Sequence, residues 1–219
     1  LHDKYPKTAS FISCGPAGEL GLSGASVACT DQDNRYPARH AARGGLGAVM
    51  GKKGLKYVVV DPGRAPLRQP ADREGFAALC KSYTKSYLDG PQMFKRGTSA
   101  VVPAANALHT FPYKNRTSGQ SPDVETLDGA RIIESFKERG GAMHNCMTGC
   151  IVKCSNVVHD AKGEYKTSAL EFETLTLLGS NCAIQSWEDV ADLDRLCDEL
   201  GLDTIETGAA VGVLTEQTT

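Results

Sequence analysis

The chain has 219 residues, of which 41% are hydrophobic and 23% charged, a composition typical of a globular protein and unlike a disordered or collagen-like one. Its 24 basic and 26 acidic residues give a net charge of −2, which argues against nucleic acid as an obligatory partner. No apolar run approaches the roughly 18 residues of a membrane span, and no charged-then-apolar leader is recognisable, so we expect a cytoplasmic protein without a membrane partner.

The first 60 residues are rich in glycine and in strand-forming residues. Residues 9–14 and 25–30 are predicted strands, separated by a turn-forming run over residues 15–19. Residues 38–50 contain helix-forming residues interrupted by glycines. Residues 56–60 form a β-branched run that ends in an Asp-Pro-Gly turn. We place a domain boundary at that turn, between residues 1–62 and residues 63–219.

From residue 70 the pattern becomes helical. Residues 71–88 place apolar side chains three or four residues apart, and residues 89–125 are rich in loops and proline. Further helices are predicted over residues 127–139, 170–178, 187–200 and 204–214. Ser186 is the expected N-cap of the third of these, and Gly201 its expected stop. The predicted fold class is α+β, with a β-rich start followed by a mostly α-helical domain.

Three of the eight cysteines form one cluster, Cys146, Cys150 and Cys154. The other five are scattered singly, which is typical of small buried side chains in a reducing compartment. Three thiolates within nine residues can hold three irons of a [4Fe–4S] cluster while a distant fourth ligand completes it. The residues alone leave two other interpretations open: a zinc site, and a helix face whose cysteines pack in the core.

Residues 39–53 combine closely spaced glycines with Arg39, Arg43, Lys52 and Lys53. Closely spaced glycines expose backbone N–H groups to an anion, and arginine can bind phosphate through two hydrogen bonds at once. The segment therefore predicts an anion site, with a helix packed closely through its glycines as the alternative. A Rossmann interpretation fails because no strand leads directly into the glycines.

Two pairs of carboxylates are candidate polar sites. Asp198 and Asp203 flank the expected helix end at Gly201, where an ordinary helix cap is the alternative. Glu171 and Glu173 lie at a predicted helix start, where a solvated face is the alternative. The histidines at positions 40, 109, 144 and 159 are isolated in the sequence, and we interpret each as structural.

Taken together, these segments resemble the tungsten-containing aldehyde:ferredoxin oxidoreductase family. The matching stretches follow the family's order across nearly the whole chain, at residues 15–19, 42–51, 146–154, 178–182 and 197–208. The resemblance implies the end of a β-rich pterin-binding domain followed by a mostly helical domain. Family members are much longer, so we expect a central fragment of an enzyme that is inactive alone.

The resemblance also implies cofactors and the residues that hold them. It implies tungsten or molybdenum held by two pyranopterins, with a [4Fe–4S] cluster close by. Cys146, Cys150 and Cys154 resemble three cluster ligands, and Glu173 falls where the family keeps a glutamate near the metal. The positions that resemble pterin contacts are Arg39, Ala42, Arg43, Gly44, Gly45, Asp198, Leu202 and Asp203.

The implied reaction is oxidation of a small aldehyde to a carboxylate, with electrons leaving through the cluster to ferredoxin or another iron–sulfur carrier. Assembly with further copies of the chain is one option. The alternatives are a family member with a non-aldehyde substrate, such as an aromatic-ring reductase subunit, a non-catalytic iron–sulfur electron-transfer module, and a zinc-stabilised structural domain.

Overall fold

The computed structural model describes residues 1–41, 43–91 and 95–218. An antiparallel sheet in the order β3-β2-β1-β4 organises the N-terminal part. Its strands are β1 (Ser10–Ser13), β2 (Val27–Cys29), β3 (Arg39–Ala41) and β4 (Tyr57–Val60). The strands predicted within residues 9–14 and 25–30 are thus confirmed, and the β-branched run over residues 56–60 forms β4.

One local prediction in this part is wrong. The expected turn over residues 15–19 is a short helix, α1 (Gly15–Glu19), because proline near a helix start has the backbone angle that a first turn needs. Residues 38–50, whose helix-forming residues are interrupted by glycines, start as β3, which pairs with β2, and become helical only in α2 (Leu46–Lys52).

The helical body follows the β-rich part, as predicted, and confirms the α+β fold class. Its helices are α3 (Arg73–Asp89), α4 (Val102–Ala107), α5 (Gly129–Arg139), α6 (Phe172–Thr174), α7 (Trp187–Leu200) and α8 (Thr204–Thr218). A π-helical turn, Leu175–Gly179, and a 3-10 turn, Ser180–Cys182, continue α6. Two further 3-10 turns are Thr98–Val101 and Val124–Leu127.

The body also contains a second sheet that the sequence analysis missed. It is an antiparallel meander of β5 (Gly141–His144), β6 (Ser155–His159) and β7 (Tyr165–Thr167). The loop from β5 to β6 carries the three clustered cysteines. Since that loop is not helical, the cysteines do not form the packed helix face considered above.

One hydrophobic core holds the body together, and α7 contributes Trp187 and Val190 to it. Burying each large apolar side chain contributes about 1.5–3 kcal/mol. A smaller cluster of three alanines lies under α1 and α2, and Leu202 packs against both clusters. Leu202 also pairs with Ala25 in an isolated antiparallel bridge. The end of α7 is thereby fastened to the N-terminal part.

The helix α3 differs from the rest, because none of its residues is buried.

Among the described residues, no helix combines the length and the apolar character that crossing a bilayer requires.

Candidate functional site

A cavity of about 440 Å³ lies where the first sheet, the residues after β7 and the helix α7 meet. Four parts of the chain far apart in sequence supply its wall. The lining residues are Cys29, Ala38, Arg39, His40, Ala41, Arg43, Cys146, Ser168, Ala169, Glu171, Thr174, Asp194, Asp198, Asp203 and Thr204.

Arg39 is fixed on this wall by a buried carboxylate. Its Nε donates to Oδ2 of Asp31 at 2.7 Å, and its Nη1 donates to the Ser155 hydroxyl at 2.8 Å. Its Nη2 is buried and has no hydrogen-bond partner among the described residues. Because a buried guanidinium N–H without a partner is costly, Nη2 is a donor available to a ligand in the cavity.

Asp31 is itself fully buried and accepts four hydrogen bonds. Besides Arg39, the donors are the backbone N–H groups of Asp33 and Asn34, at 2.9 and 3.1 Å, and Nε2 of His144, at 3.2 Å. Burial alone would raise the pKa of Asp31, but the bonds from Arg39 and the backbone outweigh it and hold that pKa below its usual value. Asp31 is therefore an anion that orients Arg39.

His40, next to Arg39 on β3, connects a carboxylate of α7 to a serine. Its Nε2 lies 2.8 Å from Oδ1 of Asp198, and its Nδ1 lies 2.5 Å from the Ser26 hydroxyl. The hydroxyl of Thr167 lies on the other side of Asp198, between it and Asp194. Both aspartates belong to α7, one turn apart, and both line the cavity.

Asp203 reaches the cavity because the residues after α7 pair with the N-terminal part. Ser26 donates its backbone N–H to the Gly201 carbonyl, and Asp203 donates its own to the Gly24 carbonyl. The Asp203 carboxylate then accepts from Nε of Arg43 at 3.3 Å. A second cavity, of about 230 Å³, lies behind this pair and is lined by Ser26, His40, Arg43 and Asp203.

The two glutamates near α6 are placed differently. Glu171 lines the cavity, accepts a hydrogen bond from the Thr98 hydroxyl, and has a pKa raised chiefly by burial. Glu173, the residue that the sequence analysis selected, is exposed and is not among the residues that line the cavity.

The clustered cysteines lie beside the cavity, and Cys146 is part of its wall. All three are free thiols. Burial is the largest cause that raises the pKa of Cys154, and Glu171, Cys146 and Cys150 all lie close enough to raise it further. The described part of the chain has no group of three His, Cys, Asp or Glu side chains placed to hold a metal ion.

Three further predicted pterin contacts, among the described residues, do not line the cavity. Gly44 and Gly45 both have left-handed backbone angles ahead of α2 and do not line the cavity. Leu202 packs in the core, as described above. Ala42 falls outside the described residues. Of the seven described positions, the cavity wall therefore gathers Arg39, Arg43, Asp198 and Asp203.

Sequence reasoning missed Asp31 and Asp194, interpreted His40 as structural, and named Glu171 only as one of a pair of candidate carboxylates. One available signal was the spacing of Asp194 and Asp198, since residues four apart share a helix face. No local signal existed for His40 or Asp31, whose partners lie up to 158 positions away along the chain.

The chain belongs to the aldehyde ferredoxin oxidoreductase family. The family model for the N-terminal domain matches residues 1–62, and the model for domains 2 and 3 matches residues 78–219.

Several curated relatives are similar over most of the chain. The tungsten-containing aldehyde ferredoxin oxidoreductase of Pyrococcus furiosus is 30% identical over 211 residues, which is 94% of this chain and 33% of that protein. The aliphatic sulfonate oxidoreductase WOR-like subunit of the same organism is 30% identical, over 96% of this chain and 33% of that protein. This chain thus spans about a third of the length of the relatives that it matches.

A solved structure shows the same fold. The active-site complex BamBC of benzoyl coenzyme A reductase, solved with 1,5-dienoyl-CoA, superposes with a TM-score of 0.71 at 22% identity. The match covers 96% of this chain and 32% of that chain.

Proposed function

We propose that the protein containing this chain oxidises an aldehyde to a carboxylate at a tungsten or molybdenum bis-pyranopterin, with water as the source of the added oxygen atom. Two electrons would leave through a [4Fe–4S] cluster to ferredoxin or another iron–sulfur carrier, and three protons would be released. The observation that carries this proposal is a cavity whose wall gathers Arg39, Asp198 and Asp203 in a chain of this family.

The cavity wall fits a pterin phosphate and a pterin ring. The unpartnered Nη2 of Arg39 can donate to a phosphate oxygen, and Arg43 adds a second guanidinium. The carboxylates of Asp198 and Asp203 can accept N–H bonds from the ring. The resemblance adds Ala42, Gly44 and Gly45 to the phosphate contacts and Leu202 to the ring contacts.

The cysteine loop fits a cluster better than a single ion. In a cubane each iron takes its own thiolate, so three thiols need not converge on one point. We assign Cys146, Cys150 and Cys154 as three ligands. This chain spans about a third of the length of its relatives, and we place the fourth ligand in the part of the family that lies outside it.

When bound, the metal centre would polarise the carbonyl and accept the electrons. The chain's own carboxylates would handle the protons. The resemblance assigns that role to Glu173, and the cavity wall offers Glu171 as a second candidate, with a pKa that burial raises above its usual value.

Metal content tests the cofactor assignment. The natural protein, purified without oxygen, should contain tungsten or molybdenum. It should also contain about four iron atoms per chain, not counting the iron of any co-purified carrier protein. Cys150→Ser should lose iron and sulfide, whereas Cys80→Ser, an exposed thiol on α3, should lose none. Zinc in place of iron would overturn the cluster. Iron without tungsten or molybdenum would favour a non-catalytic electron-transfer module.

Aldehyde-dependent reduction of a viologen dye separates the two glutamates. The role assigned by resemblance predicts that Glu173→Gln lowers kcat by about a hundredfold with metal retained, whereas a role for the cavity-lining carboxylate predicts that loss for Glu171→Gln. Wild-type turnover in both variants would remove this segment from proton transfer.

A family member with a non-aldehyde substrate is the second candidate function. It is favoured by the similarity to a sulfonate oxidoreductase subunit. A metal-loaded protein that turns over no aldehyde but oxidises a sulfonate would establish it.

A further inference from the structure

Two carboxyl groups lie side by side on the cavity wall, at Asp194 and Asp198. Their exposed fractions are only 4% and 7%. Oγ1 of Thr167 lies 2.7 Å from Oδ2 of Asp194 and 3.3 Å from Oδ2 of Asp198. A hydroxyl has one hydrogen to donate, so Thr167 cannot donate to both carboxyl groups at once.

The two carboxyl groups have unequal partners. Asp198 faces Nε2 of His40, and the histidine tautomer with its proton on Nε2 donates to Asp198 while Nδ1 accepts from Ser26. Asp194 has the Thr167 hydroxyl as its hydrogen-bond partner, and no described lysine, arginine or histidine forms an ion pair with it. An ionised carboxylate without a counter-charge is costly to bury, and a second anion beside it adds to that cost.

We propose that Asp194 holds a proton at neutral pH while Asp198 is ionised, so that the pair is a one-proton store on the cavity wall. The Asp194 O–H donates to Thr167, the Thr167 O–H donates to Oδ2 of Asp198, and His40 donates to Oδ1. Every group in the row then has a partner. Burial, followed by the charge of Asp198, raises the pKa of Asp194 well above its usual value, which agrees with a proton on Asp194.

Asp198 is the member that the hydrogen bonds keep ionised. Burial raises its pKa too, but the hydrogen bonds from His40 and from the Thr167 hydroxyl oppose that effect. The other titratable or charged groups that interact with the pair are Arg39 from β3, Tyr165 from β7, Glu171 before α6, and Arg195 and Cys197 from α7. Asp203 lines the same cavity.

The store gives Asp194 a role that the pterin motif does not include, and its use in the reaction rests on the proposed function. Oxidation of an aldehyde with water releases protons inside the cavity. The Asp198 carboxylate accepts one of them, and the pair then holds two protons until one passes to solvent. Asp194 thus acts through Asp198, as a positioning and proton-holding residue.

Infrared spectroscopy of the natural protein tests the store directly. A protonated carboxyl group has a C=O stretch separate from the carboxylate bands, and it shifts in D₂O. At neutral pH, Asp194→Asn should remove one such band, whereas Asp198→Asn, the matched change one turn away, should keep it. Glu171→Gln identifies any band from that residue. A spectrum unchanged by Asp194→Asn would overturn the proposal.

Unfolding against pH gives a second readout. Below the unfolded pKa of about 3.9, wild type and Asp194→Asn are both neutral at this position. As pH rises toward the raised folded pKa, the wild-type protein loses stability that the variant keeps. The unfolding midpoint of the variant should therefore rise relative to that of wild type. A difference that does not vary with pH would contradict a held proton.

Turnover separates this inference from the proposed function. With an aldehyde, Asp194→Asn should lower kcat by at least about tenfold and leave KM within about twofold. Absence of aldehyde turnover in wild type would sink the proposed function but leave the infrared result to decide the store. A wild-type kcat in the variant would show that the store takes no part in the reaction.

Discussion

Asp31 and Asp194 are both buried carboxyl groups of one cavity region, yet their surroundings drive them to opposite charge states. Asp31 has a guanidinium, an imidazole and two backbone N–H groups around it. Asp194 has one hydroxyl and a neighbouring carboxylate. The number of donors, and not burial alone, decides whether a buried carboxyl group ionises.

The arrangement around Asp31 makes a stability prediction. Asp31→Asn should destabilise the protein by about 3–5 kcal/mol, because it leaves the Arg39 guanidinium buried without its counter-charge. Asp33→Asn is the matched control. Oδ2 of Asp33 lies 3.2 Å from Nδ1 of His144, which also contacts Asp31, but the Asp33 side chain is 62% exposed. Its loss should therefore cost less than about 1 kcal/mol. Chemical denaturation measures both, and equal losses would contradict the central role of Asp31.

The hydrogen bonds to Asp31 also predict that the stability of the protein depends on pH. The folded pKa of Asp31 is lower than its unfolded value, so its contribution is present above about pH 3.9 and is lost as pH falls through the folded pKa. This acid-dependent part of the stability should be absent from Asp31→Asn.

Among the elements, α1 and α2 pack with their backbones in contact. A Cβ built on Gly51 would lie 1.9 Å from the Gly18 carbonyl oxygen, whereas one on Gly24 would meet nothing closer than 3.5 Å. Gly51→Ala should therefore destabilise the protein by about 1–3 kcal/mol through overpacking, and Gly24→Ala should change it little. Thermal unfolding distinguishes them, and a stable Gly51→Ala would mean that the two helices separate easily.

How much of each element the sequence predicts depends on how local its determinants are. The bounds of α7 are as predicted, because its cap at Ser186, its apolar spacing and its stop at Gly201 all lie within the segment. The second sheet was missed because β5 to β7 are three to five residues long and are stabilised by pairing with one another. Gly-Pro at the start of α1 is common to turns and helix starts, and packing against α2 decides between them.

At the scale of the whole molecule, the site also combines residues that local motifs predict with contacts that they do not predict. Family motifs led to Arg39, Asp198 and Asp203, which line the cavity, and to the loop of Cys146, which adjoins it. They did not lead to the hydrogen bonds between the parts, such as His40 with Asp198 or Arg39 with Ser155. Those bonds exist only after two sheets and a helix have assembled, so no local pattern encodes them.

Burial is also uneven across the whole molecule, and α3 is the extreme case. It has 17 residues and none is buried, whereas α7 has 14 residues and six are buried. A helix that buries nothing depends on its own propensity, which is marginal at this length in water. In the 219-residue chain, amide hydrogens of α3 should therefore exchange at least about tenfold faster than those of α7.

A matched pair of substitutions tests this uneven burial energetically. Leu79 on α3 is 66% exposed, and Leu175 in the π-helical turn is fully buried. Leu175→Ala should cost about 2–5 kcal/mol, since it removes packed methyl groups and leaves a cavity, while Leu79→Ala should stay within about 0.5 kcal/mol. Denaturant unfolding of the 219-residue chain measures both. A large loss at Leu79, or slow exchange in α3, would show that the apolar side chains of this helix have a partner in solution, and sedimentation would show whether that partner is a second copy of the chain.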